Sequence, residues 1–423
     1  MRPMRILIVA FSCAPNRGSE SKVAWNWLKS LAEQSHELIV LTPPRDREPI
    51  AAATQSAHLE RISFRYIGNA RHETLAHKSR FLLQLYYIYW QWCARRSALR
   101  IAREKALDVV HAITIGGVRF PAFLGGVAEQ FVLGPIGGGE TAPIRLTDAM
   151  GLRVALVERL RHAANWINRY DPFMRATFKA ADVVLVTSTE SAMAIPRRYR
   201  SKCIVQLQIG IDEREIAQTP LTRENLNGRP FRILYAGRHI HWKGMEFGFR
   251  AFAKLLQYCP NANLSLTGGG PAELRWRALA AELGVANRVA WLGWGKYEDL
   301  PRVYRAHHAL LFPSLHEAAG MVVVEAFAAG LPVICFNLGG PGVLVDDRVG
   351  RAVNVSAANY GEAVDGLSGA LRSVADLDPG GYRQLSANAL ERARSLVWDR
   401  VVDGVYGDLQ APARLGSTNA VTP

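Results

Sequence analysis

Two glutamates, Glu317 and Glu325, stand out among the residues that could do chemistry, because both belong to one segment with a long apolar run. Residues 321–329 are all apolar except Glu325, which is typical of a helix buried nearly all round. A buried carboxylate is costly unless its oxygens accept hydrogen bonds. Glu325 is therefore predicted to have a partner, either the paired hydroxyls of a ribose or a salt bridge or backbone cap from a neighbouring element.

The loop before this helix combines a carboxylate with free backbone amides. Glu317 lies in the loop, and the first N–H groups of a helix have no partner within it. Sugar hydroxyls can bind the carboxylate while these amides face phosphate or sugar oxygens. The amides concerned are those of Ala319, Gly320, Met321 and Val322.

A pair of cations follows the apolar run 233–235, where the sequence continues with Gly237 and Arg238 and then with Lys243. Ligands of parallel α/β folds bind at the carboxyl ends of the strands. Two cations five positions apart at that edge can bind both phosphates of a diphosphate, the arginine through a planar fork and the lysine as a point charge. Solvated surface cations are the alternative interpretation.

Two glycine-bearing loops in the first half follow predicted strands. Gly18 lies between a strand and a helical pattern, where backbone N–H groups and the positive end of a helix can bind an anion. Gly137, Gly138 and Glu140 follow another strand, and these glycines would let a ligand approach the backbone closely. A plain tight turn is the alternative for the first loop.

The elements that must position these residues alternate between short apolar runs and helical patterns in both halves of the chain. Such alternation predicts an α/β protein with parallel sheets covered by helices. Two Rossmann-like domains facing a cleft are expected, at 1–205 and 206–395, joined near a strand-like run at 204–207. Residues 396–423 are expected to form a C-terminal helix that returns towards the first domain, plus a frayed tail. The predicted strands are residues 6–11, 38–41, 109–111, 131–133 and 183–186 in the first half, and 233–235, 264–266, 289–292, 309–312 and 333–336 in the second.

Composition limits the class of protein. A chain of 423 residues with 49% hydrophobic and 21% charged residues is long enough for two globular domains. Its five cysteines have no close spacing, which predicts neither a disulfide framework nor a CxxC metal site and fits a cytoplasmic location. No apolar stretch reaches the roughly 18 residues that a transmembrane helix needs, so the chain is expected to lie on a membrane at most.

The formal net charge of +14 is concentrated in the first half, because residues 1–205 contain 29 Lys and Arg against 16 Asp and Glu. Within this half, residues 78–105 interleave arginines with aromatic residues on a helical pattern. This segment predicts either peripheral contact with an anionic membrane or a core-facing helix with a solvated basic face. A basic nucleic-acid-binding protein is a rival explanation of the charge, but it gives the Glu325 helix no purpose.

Taken in this order, the motifs resemble those of the family-4 retaining glycosyltransferases, which have the double-Rossmann GT-B fold. The resemblance covers nearly the whole chain and includes Gly18, Gly237-Arg238, Lys243-Gly244, residues 268–271, Gly293-Trp294, Glu317 and Glu325. The roles that it implies are diphosphate binding for Arg238 and Lys243, closure from the other domain for Gly18, donor-sugar contact for Glu317, ribose binding for Glu325, and contact with the base for the backbone around Gly293 and Trp294. It places the catalytic roles on Glu317, Arg238 and Lys243, and the acceptor side at Gly137, Gly138 and Glu140.

The resemblance also implies a reaction. A sugar would move from a UDP- or GDP-linked donor to a glycan or lipid-linked glycan acceptor in bacterial surface polysaccharide synthesis. The anomeric configuration would be retained through front-face attack, with the departing diphosphate helping to deprotonate the acceptor and with no metal or other cofactor. A nucleotide-sugar epimerase on the same fold is the alternative, and conversion of the donor without acceptor would distinguish it.

The sequence departs from the family pattern at two places. Residues 134–137 read Gly-Pro-Ile-Gly where many members have a histidine, which resembles a bacterial exopolysaccharide subgroup. Ala318 and Ala319 replace a proline and an aromatic residue, so a roomier sugar pocket is expected.

Asp376 and Asp378 form an Asp-x-Asp pair in a Pro-Gly loop without the strand context of a metal site, and no metal is predicted there.

Overall fold

The structure, a computed structural model, describes residues 3–15, 18–34, 36–54, 59–76, 78–148, 150–223 and 230–410. The strands are β1 Arg5–Ala10, β2 Glu37–Thr42, β3 Ser63–Tyr66, β4 Val109–Thr114, β5 Gln130–Ile136, β6 Val183–Val186, β7 Cys203–Val205, β8 Arg232–Ala236, β9 Asn263–Thr267, β10 Val289–Gly293, β11 Ala309–Phe312, β12 Val333–Phe336 and β13 Gly350–Val353. The helices are α1 Gly18–Glu33, α2 Arg47–Thr54, α3 Ala70–Ala76, α4 Arg80–Glu104, α5 Ile144–Asp148, α6 Leu152–Asn168, α7 Pro172–Ala180, α8 Thr189–Ala194, α9 Met245–Leu255, α10 Glu273–Glu282, α11 Leu300–Arg305, α12 Met321–Ala328, α13 Gly339–Leu344, α14 Tyr360–Ala375, α15 Pro379–Ser395 and α16 Trp398–Gln410.

The chain divides into two compact units. The first unit comprises Met1–Gly139, Ala163–Gln208 and Trp398–Pro423, and the second comprises Glu140–His162 and Ile209–Val397. The predicted domain boundaries stay predictions, and these units differ from them chiefly in residues 140–162, which group with the second unit. The frayed tail predicted after Gln410 lies outside the described residues.

The first unit is built on a seven-stranded parallel sheet in the order β3-β2-β1-β4-β5-β6-β7. Alternate residues of β1 enter two different cores, because both faces of a parallel sheet are covered. On one face α1 packs against α16, and on the other the buried side of α4 packs Trp90 against Phe11, with ring centres 5.2 Å apart.

The second unit is built on a six-stranded parallel sheet in the order β10-β9-β8-β11-β12-β13. Helix α9 packs against α14, where the rings of Phe247 and Tyr360 lie 4.4 Å apart. Local signals fix the ends of the helices. Asn359 and Glu362 form a reciprocal capping box at the start of α14, and Asp378 accepts a hydrogen bond from the first turn of α15.

The predicted α/β class and the two Rossmann-like parallel sheets are confirmed. All ten predicted strands are present, the strand-like run at 204–207 overlaps β7, and the prediction misses β3 and β13. Both are edge strands that lack the continuous buried character of the central strands, so they give no clear apolar run. In the described part of the chain no helix is long and apolar enough to cross a membrane.

Candidate functional site

A tight turn brings Lys243 against the loop that precedes α12. Lys243 ends a short 3-10 helix and is followed by Gly244, which has a φ of +70°. A Cβ at Gly244 would lie 1.9 Å from the carbonyl oxygen of Pro313, so only glycine fits there. The two segments are also joined by a hydrogen bond of 2.9 Å from the Leu315 N–H to the Trp242 carbonyl oxygen.

Lys243 and Glu317 form an ion pair at this turn. The Lys243 ammonium donates to one carboxylate oxygen, and the Gly320 N–H donates to the other at 3.3 Å. The Lys243 Nζ also lies 4.7 Å from the centre of the Phe312 ring, within reach of a cation–π interaction. Because both charged side chains are largely buried, each compensates the charge of the other.

Helix α12 begins directly after this ion pair. Its N-cap is Gly320 in the left-handed conformation, and no side chain of the described residues caps the first amides. The prediction of a helix buried nearly all round is wrong for one face, because Met321, Val322 and Glu325 are only half-buried. These three positions lie on the same side of the helix. The open face therefore contains Glu325 and the first two residues of α12, at which the sequence predicts ligand contacts.

Glu325 accepts a hydrogen bond from the hydroxyl of Tyr304 on α11, at 2.9 Å. Burial, reinforced by the charge of Glu325, raises the pKa of Tyr304 well above its usual value, so the phenol stays protonated as a donor. A partner from a neighbouring element is thus present. The ribose contact of Glu325 stays a prediction, and the half-buried carboxylate is compatible with it.

Arg238 lies on the surface just after β8. Its backbone environment is fixed, since Gly237 donates to the Thr267 carbonyl oxygen at 3.0 Å and His239 donates to that of Gly269 at 2.9 Å. Within the ranges that the structure describes, the Arg238 guanidinium makes no hydrogen bond or ion pair. Arg238 is thus an uncompensated cation at the end of the strand that leads to Lys243.

The predicted base-binding segment follows the edge strand β10. The Gly293 carbonyl oxygen accepts hydrogen bonds from the Gly268 N–H at 2.8 Å and from the Thr267 hydroxyl at 3.1 Å. Trp294 follows with an exposed ring. Strands β8 and β10 are parallel members of one sheet, so Arg238 and Trp294 follow the same edge of it.

The structure adds a buried glutamate that the sequence does not indicate. Glu158 on α6 lies 2.8 Å from the Nε2 atom of His316, the residue before Glu317. Burial raises the pKa of Glu158, but the contacts with His316 and Arg161 outweigh it and hold this pKa below its usual range. Glu158 therefore holds the loop that carries Glu317. No local sequence signal pairs two residues so far apart along the chain.

Glu140, predicted on the acceptor side, belongs to the second unit in the structure. A Cβ at Gly339, which has a φ of +55°, would lie 2.2 Å from the Glu317 carbonyl oxygen and 3.4 Å from the Cγ of Glu140. Glu140 is buried beside this backbone. The structure thus places Glu140 near the backbone of Glu317, and its acceptor role stays a prediction.

The remaining predicted residues lie in the first unit. Gly18 is the first residue of α1, and Gly137 pairs with Gly117 in an isolated parallel bridge. Gly138 has a φ of +91°. A nearby carboxylate, Glu20, accepts a hydrogen bond from the Gly116 N–H at 3.4 Å, and burial raises its pKa. These placements do not test the predicted roles of the glycines.

Helix α4 makes up most of the basic aromatic segment 78–105, and its buried side fits the core-facing interpretation of that segment. Tyr86, Tyr87 and Trp90 are buried in the core, whereas a second set of apolar side chains is exposed on the other side of the helix. The exposed set consists of Phe81, Leu82, Leu85, Tyr89 and Trp92. Membrane contact of this segment stays a proposal.

The Asp-x-Asp pair has structural roles in the second unit. Asp376 pairs with Arg372 at 3.3 Å, and Asp378 accepts from the Gly381 N–H at 2.6 Å. Among the residues that are described, no group of three or more His, Cys, Asp or Glu side chains is arranged to hold a metal ion.

Sequence comparisons identify relatives of the chain. The family model described as "Glycosyl transferases group 1" matches residues 220–381. The 2-deoxystreptamine glucosyltransferase of Streptomyces kanamyceticus is 32% identical over 301 residues, which cover 69% of this chain and 73% of that protein. The D-inositol 3-phosphate glycosyltransferase of Corynebacterium diphtheriae is 29% identical over 247 residues, and the match spans only 56% of its length and 54% of this chain.

Solved structures share the fold over almost the whole chain. The lipopolysaccharide outer core galactosyltransferase WaaB in its apo form has a TM-score of 0.62 at 16% identity, and the match covers 97% of this chain and 100% of that one. Anabaena Alr3699/HepE in complex with UDP has a TM-score of 0.59 at 16% identity, covering 96% and 100%. At these identities the likeness establishes the fold alone, which is GT-B. The match to the Streptomyces protein covers 73% of that protein at 32% identity, and the family model matches residues 220–381 in the second half of the chain. This chain therefore belongs to the group 1 glycosyl transferase family.

Proposed function

We propose that the chain is a retaining glycosyltransferase that moves a sugar from a UDP- or GDP-linked donor to a glycan or lipid-linked glycan. The observation that carries the proposal is the ion pair of Lys243 and Glu317 at the start of α12, where a cation, a carboxylate and free helix amides converge. Diphosphate needs the cation and the amides, and sugar hydroxyls need the carboxylate. The family model covers all of these residues.

The donor would bind in the second unit, where different residues would hold its diphosphate, its ribose and its base. Lys243 and Arg238 bind the diphosphate, and the first amides of α12 add donors. The Glu325 carboxylate, already held by Tyr304, binds the ribose, and the backbone at Gly293 and Trp294 meets the base. The UDP complex of the structurally similar Anabaena protein supports a uridine nucleotide as the first candidate.

The chemistry would need charge stabilisation above all. The acceptor oxygen attacks the anomeric carbon from the side on which the bond to the diphosphate breaks, and the acceptor proton passes to a departing phosphate oxygen. Lys243 and Arg238 stabilise the charge that develops on that leaving group. Glu317 fixes the sugar, and no metal or additional cofactor takes part.

The acceptor would be a glycan or a lipid-linked glycan of a bacterial surface polysaccharide, at the cytoplasmic face of the membrane. Support comes from the lipopolysaccharide galactosyltransferase among the structural neighbours and from the basic first half of the chain. Gly137 and Gly138 would lie on the acceptor side, and the exposed side of α4 would contact anionic lipid.

A thermal-shift screen with UDP-, GDP- and ADP-sugars tests the donor class. We expect one nucleotide to stabilise the wild type by mass action, in a manner that saturates with concentration. NMR of the product formed with acceptor should show the same anomer as the donor, also in the presence of a chelator. No response to any nucleotide would contradict the proposal, and so would conversion of the donor sugar without acceptor, which indicates an epimerase.

A further inference from the structure

Helix α6 is inverted with respect to an ordinary surface helix, because its apolar side faces outward. Leu152, Leu156, Leu160 and Ile167 follow one another at helical spacing, and they are 90, 60, 61 and 61% exposed. A surface helix normally buries such a stripe. Val157 and Trp166 are exposed beside it. We call this row of six side chains the α6 stripe.

Polar contacts hold the opposite side of α6 in place. Glu158 contacts His316, and Asn165 accepts a hydrogen bond from Arg119 at 2.7 Å and donates one to the Gly139 carbonyl oxygen at 3.2 Å. Glu158 and Asn165 are both buried. Rotating the helix to bury its leucines would expose them at the cost of these buried polar contacts. The outward direction of the stripe is therefore set by these buried contacts.

Trp166 lies in the part of α6 that belongs to the first unit, and further aromatic rings of that unit lie near it. Trp166 lies 5.2 Å from Tyr170, whose ring is exposed shortly before α7 begins. Three residues further on, Phe173 lies 5.9 Å from Phe123, which in turn lies 4.9 Å from Trp92 on α4. A groove of about 570 Å³ lies beside Trp92 and Phe123 and is lined mostly by apolar residues. Exposed apolar surface of this extent is typical of an interaction site.

Charge selects the partner. Residues 150–180 contain six Arg and Lys against two Asp and Glu, and residues 78–105 contain seven against one. One of the few acids, Glu158, is buried and paired. A symmetric contact between two copies would oppose two basic surfaces, which is unfavourable. An anionic bilayer neutralises the arginines and accepts the leucines and tryptophans at its interface.

We propose that the α6 stripe is a membrane-docking surface that inserts into the interface of an anionic bilayer. The helix lies along the membrane, since its 17 residues include exposed arginines beside the leucines. The inference rests on the membrane contact of the proposed function, which involves the exposed side of α4, and extends that contact to α6, but it does not depend on the transfer chemistry.

The test is sedimentation of the full chain with vesicles, without nucleotide. Wild type should bind vesicles of equal parts phosphatidylethanolamine and phosphatidylglycerol more tightly than vesicles of phosphatidylcholine. Leu156→Glu combined with Leu160→Glu should weaken this binding at least about tenfold. Leu274→Glu, at an isolated exposed leucine on α10, is the matched control and should bind like wild type.

A second measurement covers the case in which the double variant folds poorly. Lipids with brominated acyl chains should quench wild-type tryptophan fluorescence, less so in Trp166→Phe but equally in Trp294→Phe. Absence of vesicle binding, equal binding by the stripe variants, or self-association that Leu160→Glu abolishes would each overturn the proposal. A wild type that binds vesicles but no nucleotide sugar would refute the proposed donor class and leave the docking surface supported.

Discussion

The two units share a strand order but differ in what their sheets present. In each sheet, the strand that comes first along the chain is third in the spatial order. Its next neighbour in space is the strand that comes fourth along the chain in that sheet. After its first strand, the second unit presents Arg238 and the Lys243–Glu317 pair. The first unit presents a helix start at Gly18 and the buried carboxylate of Glu20. This architecture therefore fixes where a ligand can bind, while the charged residues decide which ligand binds.

The largest effect should come from Glu317→Ala. If Glu317 contacts the donor sugar, its removal should lower kcat/KM by about a hundredfold to a thousandfold. UDP or GDP alone should bind at least as tightly as to wild type, because Lys243 loses a competing carboxylate. Transfer kinetics and calorimetry measure the two quantities. Glu282→Ala, at an exposed position on α10, is the control. Full transfer activity in Glu317→Ala would contradict the assignment of the donor-sugar site to the second unit.

Changes at Glu325 should act mainly on nucleotide binding. Glu325→Ala removes the proposed ribose contact and leaves the Tyr304 hydroxyl without its acceptor. We expect the nucleotide Kd to rise by about ten- to hundredfold, as for loss of a charge-assisted hydrogen bond. Tyr304→Phe should have a smaller effect, since the carboxylate remains. If Tyr304→Phe weakened binding as much as Glu325→Ala, the carboxylate would have only a structural role.

Glu158→Gln should change the pH dependence of stability. The pKa of Glu158 is lowered in the folded state, so its contribution is present above the unfolded pKa and is lost as pH falls through the folded one. Wild type should lose about 1–3 kcal/mol of unfolding free energy on acidification that the variant does not lose. Urea unfolding at neutral and acidic pH measures this. Parallel pH profiles for the two proteins would show that Glu158 makes no net charge-dependent contact.

The smallest effect on donor binding should follow from Glu20→Gln in the first unit. We expect the nucleotide Kd to change by less than about twofold, because Glu20 is not among the residues proposed to contact the donor. Burial raises the pKa of Glu20, so its ionisation destabilises the fold as pH rises above the unfolded pKa. The variant should lack this loss, as thermal melting across pH would show. A large loss of nucleotide affinity in Glu20→Gln would show that Glu20 of the first unit contributes to donor binding and would contradict the contrast drawn between the units.

Much of this architecture is predictable from the sequence, because continuous apolar runs identify the central strands and glycines mark the loops after them. The face that α12 leaves open is not predictable, since apolar composition does not say which side meets solvent. Helix α6 shows the same limit more strongly. The spacing of Leu152, Leu156 and Leu160 defines an apolar side, but only the tertiary contacts of Glu158 and Asn165 turn it outward. The pairing of Glu158 with His316 also lies beyond local sequence rules.

The most direct test of the proposed nucleotide-sugar site is calorimetric titration of UDP and GDP into wild type, Lys243→Ala and Lys254→Ala. Lys254 forms an exposed ion pair with Asp365 on the surface of the same unit and serves as the matched lysine. We expect wild type and Lys254→Ala to bind one nucleotide equally, and Lys243→Ala to bind it about ten- to hundredfold more weakly. Equal affinity of Lys243→Ala and wild type, or no binding by wild type, would contradict the assignment of the nucleotide-sugar site.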